Sequence, residues 1–517
     1  MSPRYSDLNF PEWSQVNLHS LGEILAERIN NWKTLASEII IKVKFGNVGL
    51  VAETGAGKTV IAILAMVALE GRWLFLVPQR ILAQQHQELI DKLTGGQVAS
   101  KYIIGSERKR NWQDSSCRIY FATPHVFLAD AKKGVVDIKD FDYIIFDEFH
   151  KATGDYPYVR LAKAAIEQGK SIIALSASPG GDLDHIEQVA NNLKIESWVL
   201  AQIASPPKDE SLITVELGSQ LARVEELITN LVLDAAVDLE HCGLKVATNR
   251  ILGFSDLERL RSVIDGLKKD DSYYDAISAF ARYYKARHML QLAVSESYQS
   301  FLAFYEKLKS DKSKAAKVLI KQTDFCHAVT LAREHNDRHP KIVRLLEIVM
   351  RLKAQGKNCL IFVGYKDTGR YLVQFLSQRG VICECLFGGS EKNPDKQKQV
   401  LDKMRARQLD CIIATSVIEE GISVPEVDVV LHYSMPLTEI SRLQRGGRTG
   451  RIRYGQVIFL SMDHPLDKVL YWATRSKLRR MKDIVKQQRF KNPQQQQGTV
   501  VKSVKYKGKI DQTLPLC

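Results

Sequence analysis

Between residues 46 and 200 the apolar positions fall in short continuous runs, NVGLVA, RWLFLVP, RIYFATP, YIIFDE and SIIALSAS. Between them lie stretches such as TVIAILAMVALE and ILAQQHQELIDKL, whose apolar residues recur at helical spacing. Continuous apolar runs of strand length suit strands covered on both faces, and their alternation with helices predicts a parallel sheet. The rhythm returns from about 340 to 490 in NCLIFVGY, VICECLF, DCIIATS, VDVVLHYS and GQVIFLSM, which predicts a second α/β unit.

Residues 206–335 carry almost no strand pattern and have no glycine from 267 onward, while YYDAISAFARYYKARHMLQLAVSESYQSFLAFYEKL repeats apolar and aromatic residues at helical spacing. An all-helical insertion is predicted there. After about 487 the chain reads QQRFKNPQQQQG and then VVKSVKYKGKI, polar and basic without periodicity, the pattern of a flexible arm. The expected organisation is a first α/β domain over 1–205, the helical insertion over 206–335, a second α/β domain over 336–487 and a basic tail over 488–517.

At 517 residues the chain is too long for one core, and 45% hydrophobic with 26% charged residues is a folded rather than a disordered balance. Lys and Arg total 73 against 59 Asp and Glu, and the net charge of +14 suits a polyanionic partner. The 8 cysteines form no CxxC pair, and several sit in apolar runs, as reduced buried thiols do. MSPRYSDLNFPEWSQ lacks a signal pattern, and no run of about 18 apolar residues occurs, so a cytoplasmic protein with no membrane partner is expected.

The first chemical signal is AETGAGKT, residues 52–59, between a strand-like run and a helical one. A phosphate-binding loop needs that context, because backbone N–H groups and the helix N-terminus must face the anion. Gly55 and Gly57 permit the tight turn, Lys58 reaches the β- and γ-phosphates, and the Thr59 hydroxyl holds Mg²⁺. A glycine turn before an ordinary core helix is the bland alternative. YIIFDEFH follows about ninety residues later, a strand ending in adjacent carboxylates where parallel sheets place ligands. There Asp147 suits a Mg²⁺-bound water and Glu148 the water that attacks the γ-phosphate.

A third signal, RLQRGGRTGR, spaces arginines at 442, 445, 448 and 451 without an acidic residue among them. An arginine delivered from a second domain stabilises the charge that develops on a transferred phosphoryl group, an effect of about 10³ to 10⁵ in rate. A solvated basic helix face would instead carry acidic neighbours at i to i+4, and this stretch has none.

These motifs, with VPQR and ILAQQ, ATP at 122–124, SAS at 176–178, LIFVGY and ATSVIEEGISVP, stand in the order found in superfamily 2 DExD/H helicases, which the chain resembles over about residues 20–487. DEFHKATGDYPYV, LSASPG, ATSVIEEGISVPEVDVVLHY and VLYWATRSKLRRMKDI, with the helical insertion, are most similar to the Hef/FANCM branch. The resemblance implies two RecA-like domains and an ATP- and Mg²⁺-dependent motor on forked or branched DNA. It places Ala52, Glu53, Thr54, Gly55, Ala56, Gly57, Lys58 and Thr59 around the nucleotide, with Thr59 and Asp147 on the metal. Glu148 and Gln444 fall by the attacking water, Arg448 and Arg451 serve as arginine fingers, and Gly421 and Ser423 lie near the ribose. Ser176, Ser178 and His150 couple nucleotide state to grip. Pro78, Gln79, Arg80, Gly105, Thr123, Phe362, Gly364, Thr415 and Ser416 fall where the family meets the phosphodiester backbone, a contact that carries no base sequence.

Three departures stand out. RINNWKTLASEIII lacks the family's adenine-reading glutamine, Ser423 replaces an acidic residue near the ribose, and bulky Phe149 replaces alanine, which predicts a displaced His150. Two alternatives follow: a double-stranded-RNA motor of the Dicer and RNA-sensor type, and a branched-nucleic-acid clamp with little hydrolysis. The insertion mixes basic and aromatic residues in FARYYKARHM and is the expected source of substrate choice. From 475 to 509 the chain has 12 Lys or Arg against Asp483 alone, so a salt-sensitive, non-specific contribution to binding is expected there. SERKRNWQD holds a nuclease-like triplet without its partner residues, and Cys326, His327, His335 and His339 match no common zinc spacing.

Overall fold

The computed structural model describes residues 13, 16–18, 26–53, 55–103, 105, 110–177, 183–201, 208–335, 338–387, 394–415, 427–446 and 455–490. Seven strands form the first sheet: β1 (Asn47–Ala52), β2 (Trp73–Leu76), β3 (Ser100–Tyr102), β4 (Ile119–Ala122), β5 (Tyr143–Asp147), β6 (Ser171–Ser176) and β7 (Ile195–Ala201). All pair in parallel, in the order β3-β4-β2-β5-β6-β1-β7. Strands β1, β2 and β4 are buried along their whole length, which is why they read as unbroken apolar runs.

The second sheet contains β8 (Lys208–Val215), β9 (Cys359–Phe362), β10 (Cys383–Leu386), β11 (Cys411–Ala414), β12 (Val429–His432) and β13 (Gly455–Met462), ordered β10-β11-β9-β12-β13-β8 and again parallel. Here the structure departs from the expected organisation. Residues 208–215 belong to no helix; they form the edge strand of this sheet, paired with the whole of β13. Leu212 packs on one face while Ile213 and Val215 pack on the other, the alternation a strand requires.

The helical insertion therefore begins after β8 and lies within the second unit rather than ahead of it. From Gly218 to Glu334 the described residues are helical apart from short connections. Their core gathers Leu231, Val232, Tyr283, Met289, Phe301 and Phe325, all nearly or fully buried. Among the described residues no helix is long and apolar enough to cross a membrane, and the seven cysteines are all free.

Because every strand of the first sheet runs the same way, all its C-terminal ends lie along one edge. The order β3-β4-β2 followed by β5-β6-β1-β7 divides that edge into two halves, with β2 and β5 at the seam.

Candidate nucleotide and nucleic-acid site

Strands β1, β5 and β6 bring the nucleotide candidates to one half of the edge. After β1 the chain turns through Gly55 (φ 85°) and Gly57 (φ 93°) into the helix Lys58–Ala68. Only glycine holds that conformation cheaply, and at 57 a Cβ would also lie 2.4 Å from Trp32 Nε1. Trp32 Nε1 donates to the Ala56 carbonyl at 2.8 Å, and Arg28 donates to the Gly55 carbonyl at 3.0 Å. These bonds draw the loop's carbonyls toward the helix Ala26–Val43. The opening N–H groups of the following helix have no intrahelical partner and suit an anion. Lys58 Nζ donates to the Ala52 carbonyl at 3.3 Å, a neutral contact that leaves its charge for phosphate. Thr59 lies in the first turn of that helix, and Glu53 is exposed beside it.

Asp147 closes β5, 8% exposed, and its Oδ1 accepts from the Glu148 N–H at 3.0 Å. Glu148 is left-handed (φ 51°, ψ 52°), a conformation an L residue keeps only when its surroundings hold it. His150 Nδ1 sits 3.3 Å from Glu148 Oε2 and 3.1 Å from Ser176 Oγ, and Ser176 Oγ donates to Glu148 Oε2 at 3.3 Å. Burial by itself would raise the Glu148 carboxyl. The hydrogen bond and charge of His150, the charge of Lys58 and the Ser176 hydroxyl outweigh it and hold the carboxyl well below the usual range. Glu148 is thus an ionised acceptor at neutral pH, suited to orienting a water.

The displacement of His150 expected from Phe149 does not occur. Phe149 turns into the core, fully buried, with its ring 5.8 Å from Trp198. Trp198 in turn lies over Gly49 of β1, where a Cβ would come within 2.5 Å of the indole. Gly49 and Trp198 make room for Phe149, so His150 keeps its place.

The other half of the edge carries the nucleic-acid candidates. Pro78 and Gln79 follow β2, and exposed Arg80 opens the helix Arg80–Thr94. Exposed Gly105 lies beyond β3, its carbonyl taking a bond from Arg110 at 2.6 Å, and Thr123 follows β4 and opens the helix Pro124–Ala131. Sequence reasoning missed His86, which links the halves: it lies on the helix that Arg80 opens, and its Nε2 is 3.6 Å from Asp147 Oδ2. Its ring packs between Phe75 and Phe121, so only the fold reveals it.

On the second sheet, Gly364 is exposed after β9 and Thr415 is 8% exposed after β11. Phe362 is a correction. Its side chain is fully buried and its carbonyl accepts from the N–H groups of Tyr433 and Ser434, so it cannot meet a nucleic-acid backbone. Arg442 and Arg445 are likewise buried, at 2% and 6% exposure. Arg442 lies 4.1 Å over Phe459, donates to the Tyr471 carbonyl, and pairs with Glu210 of β8 at 2.9 Å. Arg445 lies 4.9 Å over Phe362 and donates to the Ser434 carbonyl. Phe362, His432 and Phe459 stack across β9, β12 and β13, and the two arginines cap that stack. The acidic partner of Arg442 comes from β8. Thr54, Ser178, Ser416, Gly421, Ser423, Arg448 and Arg451 lie outside the described residues, as does the side chain of Gln444 in the helix Glu439–Gly446.

Residues 22–180 match the family described as type III restriction enzyme, res subunit, and residues 340–453 the helicase conserved C-terminal domain. The crystal structure of the Pyrococcus furiosus Hef helicase domain superposes with a TM-score of 0.62 at 26% identity, covering 89% of this chain and 99% of that one. The ATP-dependent DNA helicase mph1 of Neurospora crassa is 26% identical over 81% of this chain and 40% of its own. The DEAD-box ATP-dependent RNA helicase FANCM of Arabidopsis thaliana is 26% identical over 81% of this chain and 34% of its own. The chain thus spans less than half the length of either relative.

Proposed function

The chain belongs to the superfamily 2 helicases, a family of ATP-hydrolysing enzymes, in their Hef/FANCM branch, and from that premise we propose that it is a Mg²⁺- and ATP-dependent motor that remodels forked or branched DNA. The observation that carries this reading is the divided edge of the first sheet. Phosphate-loop, carboxylate and serine groups share β1, β5 and β6, candidate backbone-reading positions share β2, β3 and β4, and one helix spans from Arg80 to a side chain beside Asp147.

Bound Mg²⁺-ATP supplies the reactive phosphoryl group and the metal charge that offsets its developing negative charge. The residues present fit it: the loop carbonyls are tied back, Lys58 holds a neutral partner, and Asp147 and Thr59 are oxygen donors suited to a hard cation. Glu148 orients the water and, through His150, reports its state to Ser176 at the end of β6. Arg448 and Arg451 follow a helix whose register is set by buried Arg442 and Arg445, which support the role of fingers delivered across the interdomain cleft. Closure and reopening of that cleft then convert hydrolysis into movement along the polymer.

Double-stranded RNA is the second reading, favoured by the RNA-helicase name of the Arabidopsis relative. The test is ATP turnover and binding with forked DNA, linear duplex DNA and double-stranded RNA. Strongest stimulation by forked DNA is expected. Stimulation by RNA alone moves the substrate to the second reading, and tight binding without stimulated hydrolysis makes the chain a clamp.

A further inference from the structure

The insertion meets the second α/β unit through a buried polar cluster that the motor reading does not use. At its centre is Glu296, 2% exposed, which ends a single π-helical turn, Leu292–Glu296, between the helices Asp271–Gln291 and Tyr298–Ser310. Such turns sacrifice regular backbone bonding and recur at functional sites. This one presents the carboxylate to the loop after β9. Thr368 Oγ1 donates to Glu296 Oε2 at 3.0 Å, and the Ser434 hydroxyl bonds to the same carboxylate. Ser434 Oγ in turn accepts from the Gly364 N–H at 2.7 Å. A Cβ on Gly364 would lie 3.4 Å from Glu296 Oε1, so the loop runs against the carboxylate itself. The Tyr433 hydroxyl donates to the Glu296 carbonyl from the β12 side.

We propose that Glu296 is a positioning residue for nucleic-acid binding: through Ser434 and Thr368 it holds the Gly364 loop in the conformation that grips the backbone, and it makes the insertion and the second α/β unit move as one body. The proposal rests on the reading of Gly364 as a backbone contact.

The arrangement is costly, which argues against a merely structural role. Burial raises the Glu296 carboxyl to about 7 against the opposing charge of Lys341 and the hydroxyls of Ser434 and Thr368, and Asp467 adds to the rise. Lys341 gives its ammonium to Asp467 at 3.0 Å and to the Ser295 carbonyl at 2.7 Å. The phenols of Tyr365 and Tyr433 are the other titratable groups facing the site. A glutamate whose folded pKa exceeds its unfolded value of about 4.3 imposes no ionisation cost well below that pH. The cost grows as pH rises toward 7 and is complete above it.

Glu296→Gln keeps the shape and removes the charge. At pH 8 the variant is expected to melt at or above the wild-type temperature, with the advantage shrinking at pH 6. In the protein without nucleic acid, amide exchange at 363–366 should accelerate roughly tenfold, and Kd for forked DNA should rise about five- to tenfold, as for loss of one charge-assisted bond. Unstimulated ATP turnover should not change. Unchanged exchange at 363–366 would overturn the proposal. So would a lower melting temperature at pH 8, which marks a structural residue, and so would faster exchange with wild-type DNA affinity, a result that leaves the motor reading intact. A wild-type chain that binds no polymer would end the motor reading and this proposal with it.

Discussion

The two parallel sheets treat their C-terminal edges differently. At the first, charged groups keep binding capacity: Lys58 meets a backbone carbonyl at 3.3 Å, and Asp147 lies 3.6 Å from the neighbouring imidazole. Around the second sheet, Arg442, Arg445 and Glu296 are buried, with aromatic faces, carbonyls or hydroxyls as partners inside the protein. An arginine in a basic motif is therefore not for that reason a ligand contact. Buried charge without internal partners is very costly, and the partners that Arg442 and Arg445 find inside the protein make these two side chains braces. The first edge gathers the candidate ligand groups, and the buried arginines of the second unit hold a helix in register.

The largest effect is expected for Lys58→Ala, which should lower ATP turnover by roughly 10³ or more, in the range set by losing one preorganised charge on a phosphoryl transition state. Equilibrium unfolding should be nearly unchanged, because Lys58 supports little of the fold; a large loss of stability would place it among the braces. Phe149→Ala should show the opposite profile. It opens a cavity against Trp198 and costs about 3 kcal/mol in denaturant unfolding, with a smaller effect on nucleotide affinity. Full stability would mean that the Gly49 and Trp198 pocket does not need its ring.

Arg442→Ala is expected to cost about 2 kcal/mol, since a desolvated cation stacked on two rings is lost while its partner Glu210, 44% exposed, can turn to water. Arg442→Lys should recover little, because an ammonium cannot stack and bond in the same geometry. A fully stable but hydrolysis-dead Arg442→Ala would instead place this residue among the catalytic groups. The smallest effect is expected for His86→Ala, which should reduce nucleic-acid stimulation of turnover several-fold more than it reduces the unstimulated rate. Equal loss in both would make His86 a core residue without a part in coupling.

Ten of the thirteen strands among the described residues were legible as continuous apolar runs because they are interior strands, or an edge strand as apolar as β10. The three that were not, β3, β7 and β8, are the other sheet edges, where one side lacks a neighbouring strand and polar residues are tolerated. KDESLITV opens on charges for that reason, and its assignment to the helical region followed. The nucleotide half of the site was legible because its chemistry lies in contiguous residues, a loop that must turn and a strand that must end in carboxylates. The burial of Phe362 and the bracing by Arg442 were not, since the partner of Arg442 is 232 residues away in the chain. His86 and Glu296 left no local signal, one among the core positions of a helix and the other within an insertion of similar helices.

Nucleotide chemistry and the first sheet's share of the nucleic-acid grip are proposed to occupy separate halves of one sheet edge. The most direct measurement is ATP turnover and forked-DNA affinity for Glu148→Gln beside wild type under the same salt. The account predicts wild-type Kd with turnover reduced by at least about 10². Near-normal turnover, or DNA affinity lost together with hydrolysis, would contradict it.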